Sequence, residues 1–174
     1  MKPTSAYLSN QFGYSETGKY LLDNVIKPRI TKLGIQINDP FLECEKELDF
    51  RRLQELTAYK DHKEFWMEFG DKVTPINNKL MQSSDCMLAI LDGGHAIDDG
   101  VASEIGYYYG IRRGPIFALR SDVRCGENMA VTINLQVLGY IKLSGGILAE
   151  GNSALEKWIS AIKGWHDSFR RSRK

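Results

Sequence analysis

The chain has 174 residues, 43% of them hydrophobic, which is enough to bury one sizeable core and falls in the range of a single domain. Its 23 lysines and arginines against 22 aspartates and glutamates leave a net charge of +1, which excludes a whole-molecule field steering it to nucleic acid or a membrane surface. No stretch approaches the length of a bilayer span, the N-terminus lacks a basic segment followed by an apolar run, and the three cysteines (Cys44, Cys86, Cys125) are too widely spaced for zinc or redox pairs, so a cytoplasmic protein in a reducing compartment is expected.

Thr4 to Ser9 reads as a first strand. After Tyr14-Ser15-Glu16, residues Leu21, Leu22, Val25, Ile26, Ile30 and Leu33 recur at helical spacing and predict a helix ending near Gly34. Pro28 lies inside it and predicts a kink or break, because its ring removes a backbone donor and crowds the preceding turn. Ile35 to Ile37 gives a second short strand, closed by the turn signal Asn38-Asp39-Pro40. Leu48 to Phe69 is rich in charge without one clean apolar stripe and reads as one or two partly exposed helices.

Cys86 to Leu91 is a continuous apolar run ending at Asp92-Gly93-Gly94, the pattern of a strand buried on both faces of a parallel sheet, and is expected at its centre. Asp98 to Arg112 begins with acidic residues and ends with arginines, which complements a helix dipole, and Gly114-Pro115 stops it. Ile116 to Leu119 and Tyr140 to Leu143 read as two more strands, joined by a loop of about twenty residues that is long enough to carry function. The chain closes with Leu155, Trp158, Ile159, Ile162, Trp165 and Phe169 on one helical face, read as core rather than as a subunit contact.

Strands alternating with helices imply crossover connections. The expected fold is a single-domain α/β architecture, a Rossmann or flavodoxin-like parallel five-stranded sheet flanked by helices, over residues 1–170 with a basic tail at 171–174. Ligands in such sheets sit beyond the carboxyl ends of the strands where the strand order reverses. The candidate site loops are therefore Ser9 to Ser15, Asp39 to Glu43, Asp92 to Glu104 and Ser121 to Asn134.

One of these loops is chemically distinctive. Between Leu91 and Glu104 it places four carboxylates, Asp92, Asp98, Asp99 and Glu104, between a buried strand and a helix start. Paired carboxylates are the standard tools for glycosidic bonds, one attacking or stabilising an oxocarbenium-like carbon while another manages protons and hydroxyl contacts. Asp98 or Asp99 reads as the N-cap, with Glu104 about one turn in, where the helix dipole and free N–H groups favour the ionised, nucleophilic form. Ordinary helix capping is the competing reading of the same residues. A phosphate cradle is excluded: Gly93-Gly94 has neither the spacing nor the lysine of a P-loop, and the aspartates would repel phosphate. His62, His95 and His166 give no local metal-binding pattern, so no metal is expected.

The segment Asp98-Asp99-Gly100-Val101-Ala102-Ser103-Glu104-Ile105-Gly106-Tyr107 resembles the Asp-x-Gly-Thr-Ala-x-Glu-x-Gly-Tyr signature of the nucleoside 2-deoxyribosyltransferase family. Ala6-Tyr7-Leu8-Ser9 resembles that family's first strand with its active-site tyrosine, Asn77 to Leu91 its asparagine-rich turn and following strand, and Asn134-Leu135 its Asn-Leu-Met segment. The resemblance implies that Glu104 attacks C1′ of a deoxyribose and holds it as a covalent ester until a second base or water takes the sugar, with retention of configuration. It further implies that Asp98 holds the 5′-hydroxyl, that Tyr7 orients the nucleophile, and that Asn134 helps from a neighbouring subunit. The implied partners are a deoxynucleoside and a free nucleobase, in a homo-oligomer with shared active sites and with no cofactor.

Asp98 favours an unphosphorylated nucleoside, since a buried carboxylate beside a phosphate costs several kcal/mol. Where the family's transferases carry an aspartate that protonates or holds the leaving base, this chain has Asn77 or Asn78, and an amide binds a base edge without supplying a proton as an acid does. Gln136 stands where the family often has methionine, and Cys44 lies near a position where some members present a base-contacting glutamine. Asp92 is a further candidate for base handling, with turn capping as its alternative. Two other functions fit the same residues: an N-glycoside hydrolase on this scaffold, and a nucleotide-sensing module that has lost turnover.

Overall fold

The alternating apolar runs close into one sheet in the computed structural model, which describes residues 2–47, 50–124 and 130–173. Leu48, Cys125, Lys174 and part of the Ser121 to Asn134 loop lie outside the described residues. The strands are β1 (Thr4–Asn10), β2 (Ile35–Asn38), β3 (Cys86–Ile90), β4 (Ile116–Arg120) and β5 (Ile147–Glu150). They pair in the order β2-β1-β3-β4-β5, all parallel. The Cys86 run is thus the central strand. Strand order reverses between β1 and β3, which places a ligand crevice beyond their carboxyl ends.

Both faces of the sheet are covered, and the period-two alternation of the strands sorts side chains between them. Ala6, Leu8, Cys86, Leu88, Ile90, Phe117 and Leu119 face one layer, with Ile26, Ile30, Trp158 and Ile162. Tyr7, Met87, Ala89, Leu91, Ile116 and Ala118 face the other, with Val101, Ile105, Tyr108 and Ile141. Tyr7 therefore points to the layer that contains the helix α6 (Asp99–Gly110) and its Glu104.

Pro28 acts through the turn before it. Helices α1 (Glu16–Leu21) and α2 (Lys27–Thr31) are joined by a π-helical turn, Leu22–Ile26, in which Lys27 N–H donates to Leu22 O. The widened turn accommodates the ring and the missing donor at Pro28, while Leu22, Ile26 and Ile30 stay on one buried face. Asn38-Asp39-Pro40 is less a turn than a helix start: Phe41 N donates to Asp39 Oδ1 at 3.0 Å, Pro40 takes the first position, and α3 runs over Pro40–Glu47. Helices α4 (Phe50–Glu55) and α5 (Tyr59–Ser83) follow. The asparagine-rich turn expected at Asn77 is corrected: Asn77 and Asn78 lie inside α5, which continues through Pro75 with Phe65 and Met81 buried beneath it.

The strand expected at Tyr140 to Leu143 is also corrected. That segment belongs to α7 (Leu135–Leu143), whose N-cap Asn134 accepts from Gln136 N and Val137 N, and whose buried residues Val137 and Ile141 lie four apart. A short apolar run fits either period, and here the cap decides. The last strand is β5, an edge strand with one buried residue, Ala149, too short and too exposed to stand out. The connection from β4 to α7 accordingly spans 121–134.

The closing helix α8 (Ala154–Ser172) lays its apolar face on the sheet, with Trp158 and Ile162 fully buried and His166 bonded to Thr4 Oγ1 at 3.1 Å. Trp158 Nε1 donates to Phe117 O at 2.9 Å. Trp158→Phe removes that bond and leaves a void, so it should cost about 2 kcal/mol. The check is a urea titration, in which the midpoint falls while the slope is unchanged.

Candidate active site

Glu104 sits in the second turn of α6, beyond the free N–H groups of the helix start, one of which is bonded by the N-cap Asp98: Val101 N donates to Asp98 Oδ1 at 3.0 Å. The expectation that these N–H groups hold Glu104 ionised is therefore corrected. Its donors come from elsewhere. Tyr7 OH donates to Oε1 at 2.6 Å, Ser9 Oγ to Oε2 at 2.6 Å, and Asn77 Nδ2 to Oε1 at 3.1 Å. Burial raises the Glu104 carboxyl above its ordinary pKa of 4.5 and outweighs the lowering by Ser9 and Tyr7, while the Asp98 charge adds to the rise and Asn77 opposes it. Burial, reinforced by the Glu104 charge, keeps the Tyr7 phenol protonated, so it acts as a donor.

Above this cluster opens a cavity of about 500 Å³. Asp98 and Glu104 of α6 line it together with Asn77, Val73, Phe69 and Trp66, which share one face of α5 at spacings of three and four. Phe41, Cys44 and Glu45 present the matching face of α3, and Tyr14 and Lys19 complete the wall. Tyr14 stands edge-on to Phe41, with ring centroids 5.0 Å apart. Gly13 makes this wall attainable, because a Cβ there would come within 2.5 Å of the Phe41 ring. The cavity is thus lined both by carboxylates and by aromatic rings.

Of the candidate residues, Glu104, Asp98 and Asn77 line the cavity and Tyr7 lies beneath it, fully buried. Asn78 is not part of the cavity wall. Asp92 is corrected from base handling to capping: its carboxylate accepts from Ser121 N, Ser121 Oγ and Asp122 N, tying the end of β3 to the end of β4. Asn134 caps α7, and neither it nor Gln136 reaches the cavity of its own chain. Ser9 is a donor to Glu104 that carried no assigned role in the sequence, although it follows Tyr7 by two residues and so shares its face of β1. The aromatic residues Phe41, Trp66 and Phe69 were equally unassigned, since the connections between helices decide which faces meet.

Arg120, fully buried at the end of β4, fixes the loop that leads into α6. Its Nη1 donates to Leu91 O at 2.6 Å and Gly94 O at 3.2 Å, and its Nη2 to His95 O at 2.9 Å. Gly93 within that loop has φ +121°, a backbone that other residues rarely adopt, and a Cβ there would come within 2.8 Å of the side chain of Gln11. Among the described residues no group of three or more His, Cys, Asp or Glu side chains is placed to hold a metal ion, and no helix is long and apolar enough to cross a membrane.

The family model for nucleoside 2-deoxyribosyltransferase matches residues 6–136, from β1 into the first turn of α7. No curated protein matches the chain at a significant level. A conserved protein from Enterococcus faecalis V583 is 22% identical in sequence and superposes with a TM-score of 0.64, over 94% of this chain and 99% of that one. A 2-deoxyribosyltransferase from Bacillus psychrosaccharolyticus is 16% identical, with a TM-score of 0.50 over 79% of this chain and 82% of that one. At these identities the two likenesses show the fold.

The raised Glu104 titration has a consequence for stability. Because the folded state holds this proton more tightly than the unfolded one, the carboxyl favours the fold at low pH and that contribution is lost as pH rises through the folded value. Glu104→Gln keeps the shape, accepts from Tyr7 and Asn77, and donates to Ser9. Its Tm should exceed that of the parent at pH 7, by about 2–4 °C for each kcal/mol relieved. Calorimetry across pH should show the difference shrinking as the pH falls toward 4.5, the ordinary value.

Proposed function

The chain belongs to the nucleoside 2-deoxyribosyltransferase family, and from that premise we propose that it moves the 2-deoxyribose of an unphosphorylated deoxynucleoside between nucleobases through a covalent ester on Glu104. The observation that carries this reading is the Glu104 carboxylate itself, partly withdrawn from water, held by three donors and directed at a cavity with an aromatic wall.

Hydrogen-bond count selects the attacking atom. Oε1 engages both lone pairs, one with Tyr7 and one with Asn77, whereas Oε2 gives one to Ser9 and keeps one. Oε2 attacks C1′, the C1′–N bond to the base breaks, and the electron pair leaves with the base. The departing base takes a proton from water, the acceptor base gives one up to water, and in the second displacement the nitrogen of that acceptor attacks C1′ and returns the pair to Oε2, so the configuration is retained overall. As negative charge leaves the carboxylate, Tyr7 and Ser9 hold its geometry without reorganising.

Asp98, the N-cap of α6 and on the cavity wall with Glu104, takes the 5′-hydroxyl, and its charge disfavours a 5′-phosphate. The base lies against Phe41, Trp66 and Phe69, with Lys19 and Glu45, 4.0 Å apart, available to its polar edge. Asn134 does not line the cavity of its own chain, and in the homo-oligomer that the family resemblance implies it serves the sugar site of a neighbouring copy. Hydrolysis is the second reading, favoured by the exposure of the wall in the single chain: Tyr14 is 79% and Trp66 48% exposed, leaving water a path to the ester.

Incubation with deoxyinosine or thymidine, with and without free adenine, separates these readings by chromatography. New deoxyadenosine is the expected product, and Glu104→Ala should lose it by about 10³-fold or more. Free base without new nucleoside would assign hydrolysis, and no reaction across a nucleoside panel would overturn both in favour of a nucleotide-sensing module. The acid limb of kcat/KM should lie above the ordinary value of 4.5, and Tyr7→Phe, which removes a donor that lowers the Glu104 titration, should move it further up.

A further inference from the structure

We infer that Cys44 is a positioning residue, whose thiol fixes the side-chain amide of Asn77 in the orientation that turns its NH₂ group toward Glu104. Asn77 lies between the two: Cys44 Sγ stands 3.9 Å from Asn77 Oδ1, and Asn77 Nδ2 stands 3.1 Å from Glu104 Oε1. A primary amide has two nearly isosteric orientations, and the reversed one would turn an acceptor oxygen on an acceptor carboxylate. A donor on the far side of the amide selects the productive one. Cys44 is the group in that place, buried on the cavity face of α3 three residues after Phe41. Burial first, then the charges of Glu104, Glu43 and Asp39, hold its thiol protonated, so the sulfur donates rather than accepts.

The arrangement explains the residue at position 77 better than base recognition does. An aspartate at that place would set a second carboxylate at hydrogen-bond distance from Glu104, and like charges so close cannot both remain ionised. An asparagine held by a thiol instead supplies a neutral donor to the nucleophile. Its oxygen and its NH₂ group are each engaged, and Lys19 and Glu45, also on the cavity wall, are available to the edge of the base.

The inference rests on the proposed function for its kinetic arm only, because the titration of Glu104 can be followed in the unliganded full chain. The other groups that face Glu104 are Tyr7 and Ser9 from β1, Asp98 at the cap of α6, and Tyr14 across the cavity. These stay constant through a series of four variants: Asn77→Ala, Cys44→Ala, Cys44→Ser and the Asn77→Ala/Cys44→Ala double variant. Carbon NMR of the Glu104 carboxyl should show its titration moved upward by Asn77→Ala and, by part of that amount, by Cys44→Ala. Cys44→Ser, which keeps a donor, should restore most of the difference. In the Asn77→Ala background, Cys44→Ala should produce no additional shift, the mark of a residue that acts through its neighbour.

On the acid limb, kcat/KM should fall roughly threefold in Cys44→Ala and about tenfold in Asn77→Ala, in keeping with a weak and a charge-assisted hydrogen bond. An unmoved Glu104 titration in Cys44→Ala, or an equal shift in both backgrounds, would overturn the inference. A wild-type chain without glycosyl activity whose Glu104 titration still follows the predicted pattern would overturn the proposed function and leave this inference standing.

Discussion

Withdrawal of the Glu104 carboxylate from water, against a strand that supplies two hydroxyl donors, is the constraint around which the site is arranged. Left alone, a carboxylate in that position would be neutral through much of the acid range. Three neutral donors return part of the stabilisation that water would have given, so burial, although it prevails, is opposed. Because all three are uncharged, none forms an ion pair that an attacking oxygen would have to break. The result is a carboxylate less stabilised than in bulk water, the property that the proposed attack on C1′ uses.

The sheet provides the precision that this arrangement needs. Tyr7 and Ser9 alternate with buried Leu8 on β1, so packing of one face fixes the aim of the other. The strand order reverses between β1 and β3, and α6 begins in the crevice so formed. Its approach is set by Arg120, whose guanidinium holds three carbonyl groups of the Leu91 to His95 segment, and by Asp92, which ties β3 to β4. Both residues are removed from the cavity, and both bear on where Glu104 comes to rest. Deep burial of a charged arginine is tolerable there because backbone oxygens, each an obligatory acceptor, receive it.

What could be read from the amino acids follows the strength of the local pattern. The buried run at Cys86, the helix after Asp98 and the amphipathic closing helix were legible because burial on two faces, a cap with a dipole, and a stripe of period 3.6 each leave one interpretation. The edge strand Ile147–Glu150 and the helix Leu135–Leu143 were not, since one is too short to show alternation and the other reads equally well as an apolar strand until its Asn134 cap is seen. Within the site, the motif around Glu104 singled out Glu104 and Asp98, and the first-strand segment singled out Tyr7, but neither says how α3 and α5 meet. That meeting is long-range, and it creates the aromatic wall and the Cys44–Asn77 contact, whereas the role of Ser9 comes from the packing of α6 on β1. Asp92 misled for a physical reason: a carboxylate at the end of a strand serves capping and chemistry with the same residue type.

A covalent bond between the sugar and Glu104 is the step on which the proposed transfer depends. A 2-deoxy-2-fluoro-arabinosyl nucleoside slows the second displacement more than the departure of the base can compensate, and so should trap the intermediate. Intact-mass spectrometry of the protein after such an incubation should show one added fluorosugar, peptide mapping should locate it on Glu104, and addition of free adenine should discharge it. An unmodified mass alongside undiminished release of base from natural deoxynucleosides would contradict the account, because the bond would then be cleaved without the ester.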